Sequence, residues 1–205
     1  LAMTYNDLKS LIFFQKSLED NYVKPEPRDV NVHMGEYGGL LIYTQKLLIS
    51  TVSEFLIFLE KNEKVILSPK FSLLLKNLDK DSRKIWTQII DPKKNETSII
   101  SKIARVRSNI AHHFDHSLEE LRKGFVRSFY SETKDLVQHK KAYYSLGNSM
   151  ESTRFYYADA SAAEYINSLL NAEGMELVMS NIKNINLTLR GLLRVYINDI
   201  KNKNK

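Results

Sequence analysis

The sequence predicts an all-α protein, a helical bundle of about five to seven helices. Apolar residues recur at intervals of three and four through most of the 205 residues, while alternating, strand-like runs are scarce. Seven glycines and four prolines leave few points at which a helix must end. Because 43% of the residues are hydrophobic, the chain can bury one good core, and we expect a single domain over residues 1–205.

The first half of the chain is predicted to form two long helices. The first runs from Thr4, a candidate cap with Asp7 three residues later, to Tyr22, before two prolines stop it. The residues up to Gly39 are predicted to be a loop, and residues 40–61 a long, central helix. The expected core residues of these two helices are Leu8, Leu11, Ile12, Leu18, Leu47, Leu48, Val52, Phe55 and Leu59.

The glycine-rich run at residues 35–39 superficially suggests a phosphate-binding loop. It lacks the Lys and Ser or Thr that complete such a motif, so it is predicted only to turn the chain into the second helix. Neither a dinucleotide-binding glycine motif nor a His-Glu-x-x-His motif occurs in the sequence.

A third helical region is predicted from Pro69 to Ile90, with a break near Asp79 and an end at the Asp91-Pro92 pair. Its expected core residues are Leu73, Leu74, Leu78, Ile85, Trp86 and Ile89.

The second half of the chain is predicted to hold four further helices. They cover residues 97–113, then about 117–144 with Ser117 and Glu120 as a capping box, then about 160–171 and 175–200. A polar loop is expected at residues 147–153.

Composition limits the classes of function. There is no cysteine, which excludes disulfides, thiolate metal sites and cysteine nucleophiles and suits a cytoplasmic protein. The uninterrupted apolar runs are far shorter than a membrane span, and the N-terminus has no signal-peptide pattern, so no membrane association is expected. Leu1 and Ala2 are expected to be an added remnant before Met3, and residues 201–205 a frayed basic tail.

The net charge of +6 favours polyanionic partners, because phosphate-rich ligands gain affinity when counterions are released. Basic residues that flank the motif described next could contact phosphate, although such residues more often form a solvated helix face; they are Arg122, Lys123, Arg127, Lys140 and Lys141.

Residues with catalytic potential concentrate at the end of the fourth predicted helix. Three of the five histidines lie there, in a segment that runs from Ile103 to His116. On a helix Arg105, Asn109 and His112 would share one stripe, backed by an apolar stripe that includes Ile103. Arg107 lies about 140° from His112 on an ideal helix, so both meet one ligand only if the helix ends near His112.

The string Arg107-Ser108-Asn109-Ile110-Ala111-His112 resembles the Arg-x(4-6)-His signature of the HEPN superfamily, and the following His113-Phe114 extends the likeness. The resemblance implies a helical bundle, often a homodimer that brings two motifs into a shared cleft. It implies metal-independent RNA cleavage, typically with a 2′,3′-cyclic phosphate product, in proteins that often serve as toxins or phage-defence effectors. An antitoxin or a nucleotidyltransferase is then a candidate partner.

By this resemblance Arg107 matches the family arginine, His112 the family histidine, and Ser108 a polar position where Asn or Asp is more usual. Asn109 could supply an amide one residue later. Two other spacings fit the signature, Arg105 with His112 and Arg107 with His113. The expected catalytic residues are Arg107, Ser108, Asn109 and His112, with Arg105 and His113 as RNA-binding residues and no metal or other cofactor.

The chemistry suits these residue types. RNA cleavage by the 2′-hydroxyl needs proton transfers at two oxygens, and a histidine that titrates near neutrality can exchange such protons. Arginine stays charged and offers a planar fork of donors to the scissile phosphate. A symmetric dimer would supply one histidine for each proton transfer.

Two other classes of function stay open from the sequence, beside two further readings of individual residues. The substitution at Ser108 favours a noncatalytic RNA- or nucleotide-binding HEPN module, and a helical interaction scaffold with incidental charge is the other class. His112 and His116, four residues apart beside Asp115, have a spacing that can bind zinc. Aromatic residues beside Arg154 could stack on unpaired bases, although core or dimer packing is the more ordinary role; they are Tyr143, Tyr144, Phe155, Tyr156 and Tyr157.

Overall fold

A computed structural model describes residues 1–23, 32–90, 103, 122–123, 125–126, 144–150, 152–170 and 174–203. The described residues confirm the all-α class. They form seven helices, and the only β-type pairing among them is an isolated bridge between Ser145 and Arg154. The helices are α1 (Ala2–Asp20), α2 (Val32–Lys61), α3 (Glu63–Ile66), α4 (Pro69–Lys76), α5 (Lys80–Ile90), α6 (Tyr156–Leu170) and α7 (Gly174–Lys203).

Two helices of 30 residues, α2 and α7, organise the bundle. Each is about 45 Å long at the usual rise per residue. Helix α1 packs against both of them, α5 packs against both from another side, and α6 packs against α2 and α7. The shared core contains Leu48, Val52 and Phe55 of α2 and Ile182 and Ile185 of α7, all at most 2% exposed. The expected core positions in α2 are therefore confirmed, apart from the partly buried Leu47.

Helix α1 begins before the predicted cap. Leu1 occupies the N-cap position, its carbonyl accepts the Tyr5 N–H at 2.9 Å, and it packs against the core. Thr4 therefore lies inside the first turn and caps nothing. An apolar residue can hold this end because its burial contributes what a capping hydroxyl would otherwise supply.

The prediction of a loop up to Gly39 is wrong, because α2 begins at Val32 and includes the glycine-rich run. Gly38 and Gly39 are helical residues. Glycine weakens a helix in isolation, so its presence there points to a packing reason, which the functional-site geometry supplies.

The predicted break near Asp79 is confirmed. Pro69 takes the first position of α4 behind Ser68, whose hydroxyl accepts the Phe71 N–H at 3.3 Å. Asp79 then opens α5, since its carboxylate accepts the Ser82 N–H at 2.8 Å. The hydrogen bonds from Ser82 lower the pKa of the Asp79 carboxyl group.

Within this region Leu73 was expected in the core and is instead 60% exposed. Phe71 and Leu75, four residues apart, share the face of α4 that packs on the core. Leu73 lies two residues from each, which puts it on the opposite side of this short helix. Trp86, Ile89 and Leu78 are buried as expected.

The segment Glu36–Lys61 of α2 is long and apolar enough to cross a membrane, judged by length and composition alone. In this fold the same segment supplies the central core helix, with Leu48, Ile49 and Val52 completely buried. Core helices of soluble proteins share that composition, so the bundle accounts for it without a bilayer.

Candidate functional site

The residues of the Arg-x4-His motif lie outside the described residues. This applies to Arg105, Arg107, Ser108, Asn109, His112 and His113, and also to His116 and the basic residues Arg127, Lys140 and Lys141. Their assignment as catalytic or RNA-binding residues stays a prediction.

The residue that leads into the motif is described, and it is fixed in the core. Ile103 is helical and completely buried, as its place on the apolar stripe predicts. Its carbonyl accepts a hydrogen bond of 3.1 Å from the hydroxyl of Ser53, which is itself 2% exposed in the middle of α2. A hydrogen bond of this kind, sealed from water, ties the position of the Ile103 backbone to the central helix.

A second polar site is described in full, and its centre is Arg154. The guanidinium Nε donates to a carboxylate oxygen of Asp159 in α6 at 2.8 Å, and Nη1 donates to Glu36 in α2 at 2.8 Å. Arg154 and Asp159 are each about a quarter exposed, whereas Glu36 is 42% exposed. We call Glu36, Arg154 and Asp159 the ionic cluster.

A closed loop places Arg154 in this position. Its N–H and carbonyl pair with the carbonyl and N–H of Ser145 at 2.9 and 2.8 Å. The polar loop between them, expected at residues 147–153, is held by its own hydroxyls, including the Thr153 side chain to the Ser149 carbonyl at 2.9 Å. The chain therefore enters α6 with the Arg154 side chain directed at the start of α2.

Gly39 explains why glycines belong in α2. The position that a β-carbon would take at Gly39 is already occupied by the guanidinium of Arg154, whereas at Gly38 nothing lies within 4 Å of that position. The absence of a side chain at Gly39 thus lets the guanidinium pack directly against the backbone of α2. Gly39 therefore serves a close contact between α2 and Arg154 rather than a phosphate loop.

This contact gives a matched pair of predictions. Gly38→Ala should raise the free energy of unfolding by about 0.5–1 kcal/mol, because alanine favours the helix and meets open space. Gly39→Ala gains the same propensity but must displace the guanidinium from two ion pairs, so it should be at least about 1 kcal/mol less stable than Gly38→Ala. Urea unfolding followed by circular dichroism measures both variants. Equal stabilities would show that the guanidinium does not need the missing side chain.

Two further groups border the ionic cluster. Burial lowers the pKa of Lys46, and the negative charge of Asp159 opposes that shift. Burial raises the pKa of Tyr156, and an interaction with the Ser145 side chain opposes this shift without cancelling it. The positive charges of Lys46 and Arg154 together balance the negative charges of Glu36 and Asp159.

The balance of charge determines what the ionic cluster can do. Every group in it already has a partner of opposite charge, and such an arrangement ties helices together rather than presenting a reactive group. Among the described residues no group of His, Asp or Glu has an arrangement that could hold a metal ion. We assign the ionic cluster a structural role, which joins α2 to α6.

The aromatic residues around Arg154 divide into two kinds. Tyr156 is buried, at 6% exposed, and belongs to the packing. Phe155 and Tyr157 are 48% and 40% exposed and meet edge to face at 6.0 Å, and Tyr157 meets Phe125 in the same way at 6.2 Å. Of the described aromatic residues beside Arg154, Tyr156 alone has the core-packing role, while base stacking by the exposed ones stays a prediction. Arg154 itself is committed to the ionic cluster.

The ion pairs of Arg154 could not be read from the sequence, because Glu36 lies 118 residues away from Arg154 along the chain. The adjacent glycines in α2 were the one local signal of a close contact. Comparison of the chain with protein-family models, with curated proteins and with solved structures found no match.

Proposed function

We propose that the protein is a metal-independent endoribonuclease of the HEPN type, with Arg107 and His112 as its working pair. The observation that carries the proposal is the string Arg107-Ser108-Asn109-Ile110-Ala111-His112 followed by His113-Phe114. The resemblance implies a helical bundle, and the described residues form an all-α fold that is compatible with it. The hydrogen bond from the Ser53 hydroxyl to the Ile103 carbonyl supports the proposal further, because it fixes the backbone in the core four residues before Arg107.

The proposed reaction is attack of an RNA 2′-hydroxyl on the adjacent phosphate. The oxygen of the 2′-hydroxyl forms a bond to phosphorus, its proton goes to a histidine acting as base, and the bond from phosphorus to the 5′-oxygen breaks. The leaving 5′-oxygen takes a proton from an imidazolium. The products are a 2′,3′-cyclic phosphate and a 5′-hydroxyl, and no other reactant is consumed.

Each residue has a distinct part in this reaction. His112 exchanges the protons, and Arg107 holds the scissile phosphate and stabilises the charge that develops on it. Ser108 and Asn109 orient the phosphate or the imidazole, while Arg105 and His113 bind the neighbouring RNA. A homodimer would place two His112 side chains at one cleft, which would provide both the base and the acid.

The biological setting follows from the same resemblance. We place the protein in the cytoplasm as a toxin or phage-defence nuclease, restrained by an antitoxin or a nucleotidyltransferase. The absence of cysteine and the net charge of +6 support an intracellular protein that meets polyanions.

A noncatalytic RNA-binding module is the second candidate, and Ser108 favours it. The hydroxyl of serine is shorter and carries one donor, whereas an asparagine amide carries two donors and an acceptor. If the polar position must orient the imidazole, this shorter group would leave binding intact while cleavage is lost.

The test of the proposal is incubation of the purified protein with a panel of structured and single-stranded RNAs in EDTA. Cleavage that yields 2′,3′-cyclic phosphate ends is the expected result. RNA that is bound but remains intact would support the second candidate. Products with 5′-phosphate ends, or cleavage that requires added Mg²⁺, would overturn the assignment of the reaction.

A further inference from the structure

The solvent-facing side of α7 carries a row of cations. Lys183, Arg190, Arg194 and Lys201 are all exposed. At about 100° per residue they lie within about 40° of one another around the helix axis, and along the axis they extend over about 27 Å. We call these four residues the basic stripe.

Between Lys183 and Lys201 the face of α7 that carries the basic stripe has no acidic residue. Glu176 is the acidic residue of α7 that shares its face, and it lies in the first turn, seven residues before Lys183. Asp199 lies about 160° around the helix from Lys201. No carboxylate of the described residues forms an ion pair with any of the four cations. In α1, by contrast, Lys16 is paired with Asp20 at 2.8 Å.

The other face of α7 holds the basic stripe in a fixed position. Val178, Ile182, Ile185 and Leu189 are completely buried in the core. On one flank the chain that leads into α5 approaches closely, since a β-carbon at Gly191 would lie 2.9 Å from the Leu78 side chain and 3.8 Å from the hydroxyl of Ser82 in α5. The part of α7 that carries Lys183 and Arg190 is therefore held in one orientation by its buried face, and Arg194 and Lys201 continue the stripe on the same helix.

We propose that the basic stripe binds the phosphate backbone of RNA. The choice of RNA rests on the function proposed above, whereas the binding of phosphates rests on the stripe itself. A row of cations that form no ion pair with a described carboxylate, at intervals of about 6 and 10.5 Å, can follow a chain of phosphates and release its counterions. An anionic membrane fits less well, because the continuous apolar face of α7, with Val178, Ile182, Ile185 and Leu189, is already buried in the protein. A bilayer could reach only separate, half-exposed side chains beside the stripe, such as Leu187 and Ile197.

The basic stripe and the motif would then have separate roles. Contacts with phosphates position a nucleic acid without reading its sequence. The stripe would hold the substrate over a length of several nucleotides, while cleavage takes place at the motif. Loss of the stripe is therefore expected to weaken binding to all RNA sequences equally.

The test uses the full chain carrying His112→Ala, so that RNA stays intact during the measurement. Binding of a fluorescein-labelled single-stranded RNA is followed by anisotropy over a series of salt concentrations, with and without Arg190→Gln and Arg194→Gln together. Each lost contact with a phosphate should reduce the slope of log K against log salt by about 0.7, so the double variant should lose about 1.4. Its affinity should fall roughly tenfold or more, for every RNA sequence tested.

The matched control removes the same charge at Lys61 and Lys64, exposed residues of α2 and α3. Circular dichroism and thermal melting verify that both double variants are folded. An equal loss of slope in the control variant, or an unchanged slope in the Arg190 and Arg194 variant, would overturn the proposal. Loss of binding to phosphatidylserine vesicles without loss of RNA binding would also overturn it, in favour of a membrane surface.

The same proteins with His112 restored separate this proposal from the ribonuclease proposal. If RNA binding depends on the basic stripe but no cleavage occurs, the proposal for the stripe is supported and the ribonuclease proposal is wrong. If RNA is cleaved but the double variant has an unchanged salt slope, the ribonuclease proposal is supported and the proposal for the basic stripe is wrong.

Discussion

His112→Ala is expected to reduce the rate of RNA cleavage by about 10²–10⁴-fold, because no other group at that position can exchange protons near neutral pH. Arg107→Ala should reduce the rate by about 10²–10³-fold, since the developing charge on the phosphate loses its preorganised donor. Both effects should fall on kcat, because the groups act most strongly in the transition state. Single-turnover cleavage of a labelled RNA measures them.

The remaining histidines supply the control for this prediction. His139→Ala changes the same residue type away from the motif and should leave the rate within about twofold of the original, as expected for a residue without a role in the transition state. Arg107→Lys distinguishes charge from geometry, since lysine keeps the charge but loses the planar fork of donors. If His112→Ala and His139→Ala behave alike, the motif does not carry the chemistry.

Ile103→Ala is expected to lower the free energy of unfolding by about 2–5 kcal/mol, the usual cost of removing a fully buried isoleucine side chain down to its β-carbon. Ile103→Val, which removes a single methylene, should cost only about 0.5–1.5 kcal/mol. The physical reason is that Ile103 is completely buried and its backbone is held by Ser53 in the middle of α2. Chemical unfolding of the two variants measures the difference.

The same pair of variants tests whether this anchor serves the motif. Because Ile103 precedes Arg107 by four residues, a cavity at Ile103 should also disturb cleavage at temperatures where the protein remains folded. A matched core variant far along the chain, Ile182→Ala in α7, removes a side chain that is equally buried. If both variants lose the same stability and the same activity, Ile103 has no special relation to the motif.

The parts of the fold that follow from local rules were predictable from the sequence. The recurrence of apolar residues at intervals of three and four in α2 identified Val52 and Phe55 as core residues. Pro69 marked a helix start and Asp79 a break, and the structure confirms both. Ile103 was placed on an apolar stripe and is completely buried. These predictions depend on neighbours within one or two turns, which is the range over which periodicity and capping operate.

The failures arose where a distant residue decided the local structure. Gly38 and Gly39 look like a turn, yet both lie inside α2, and Gly39 leaves room for the guanidinium of Arg154, more than a hundred residues later. The contacts of Arg154 with Glu36 and Asp159 could not be inferred from any window of sequence. The motif was found from the sequence alone, because it is a pattern of residue types. Of this segment the described residues include only Ile103, which is anchored in the core by Ser53.

The central claim is that the motif cleaves RNA through its 2′-hydroxyl without a metal. The most direct measurement compares one RNA with its fully 2′-O-methylated counterpart, in EDTA, using the unmodified protein and His112→Ala. We predict that only the combination of unmodified protein and unmodified RNA gives a product, and that this product ends in a 2′,3′-cyclic phosphate. Cleavage of the methylated RNA, or cleavage of the unmodified RNA that persists in His112→Ala, would contradict the claim.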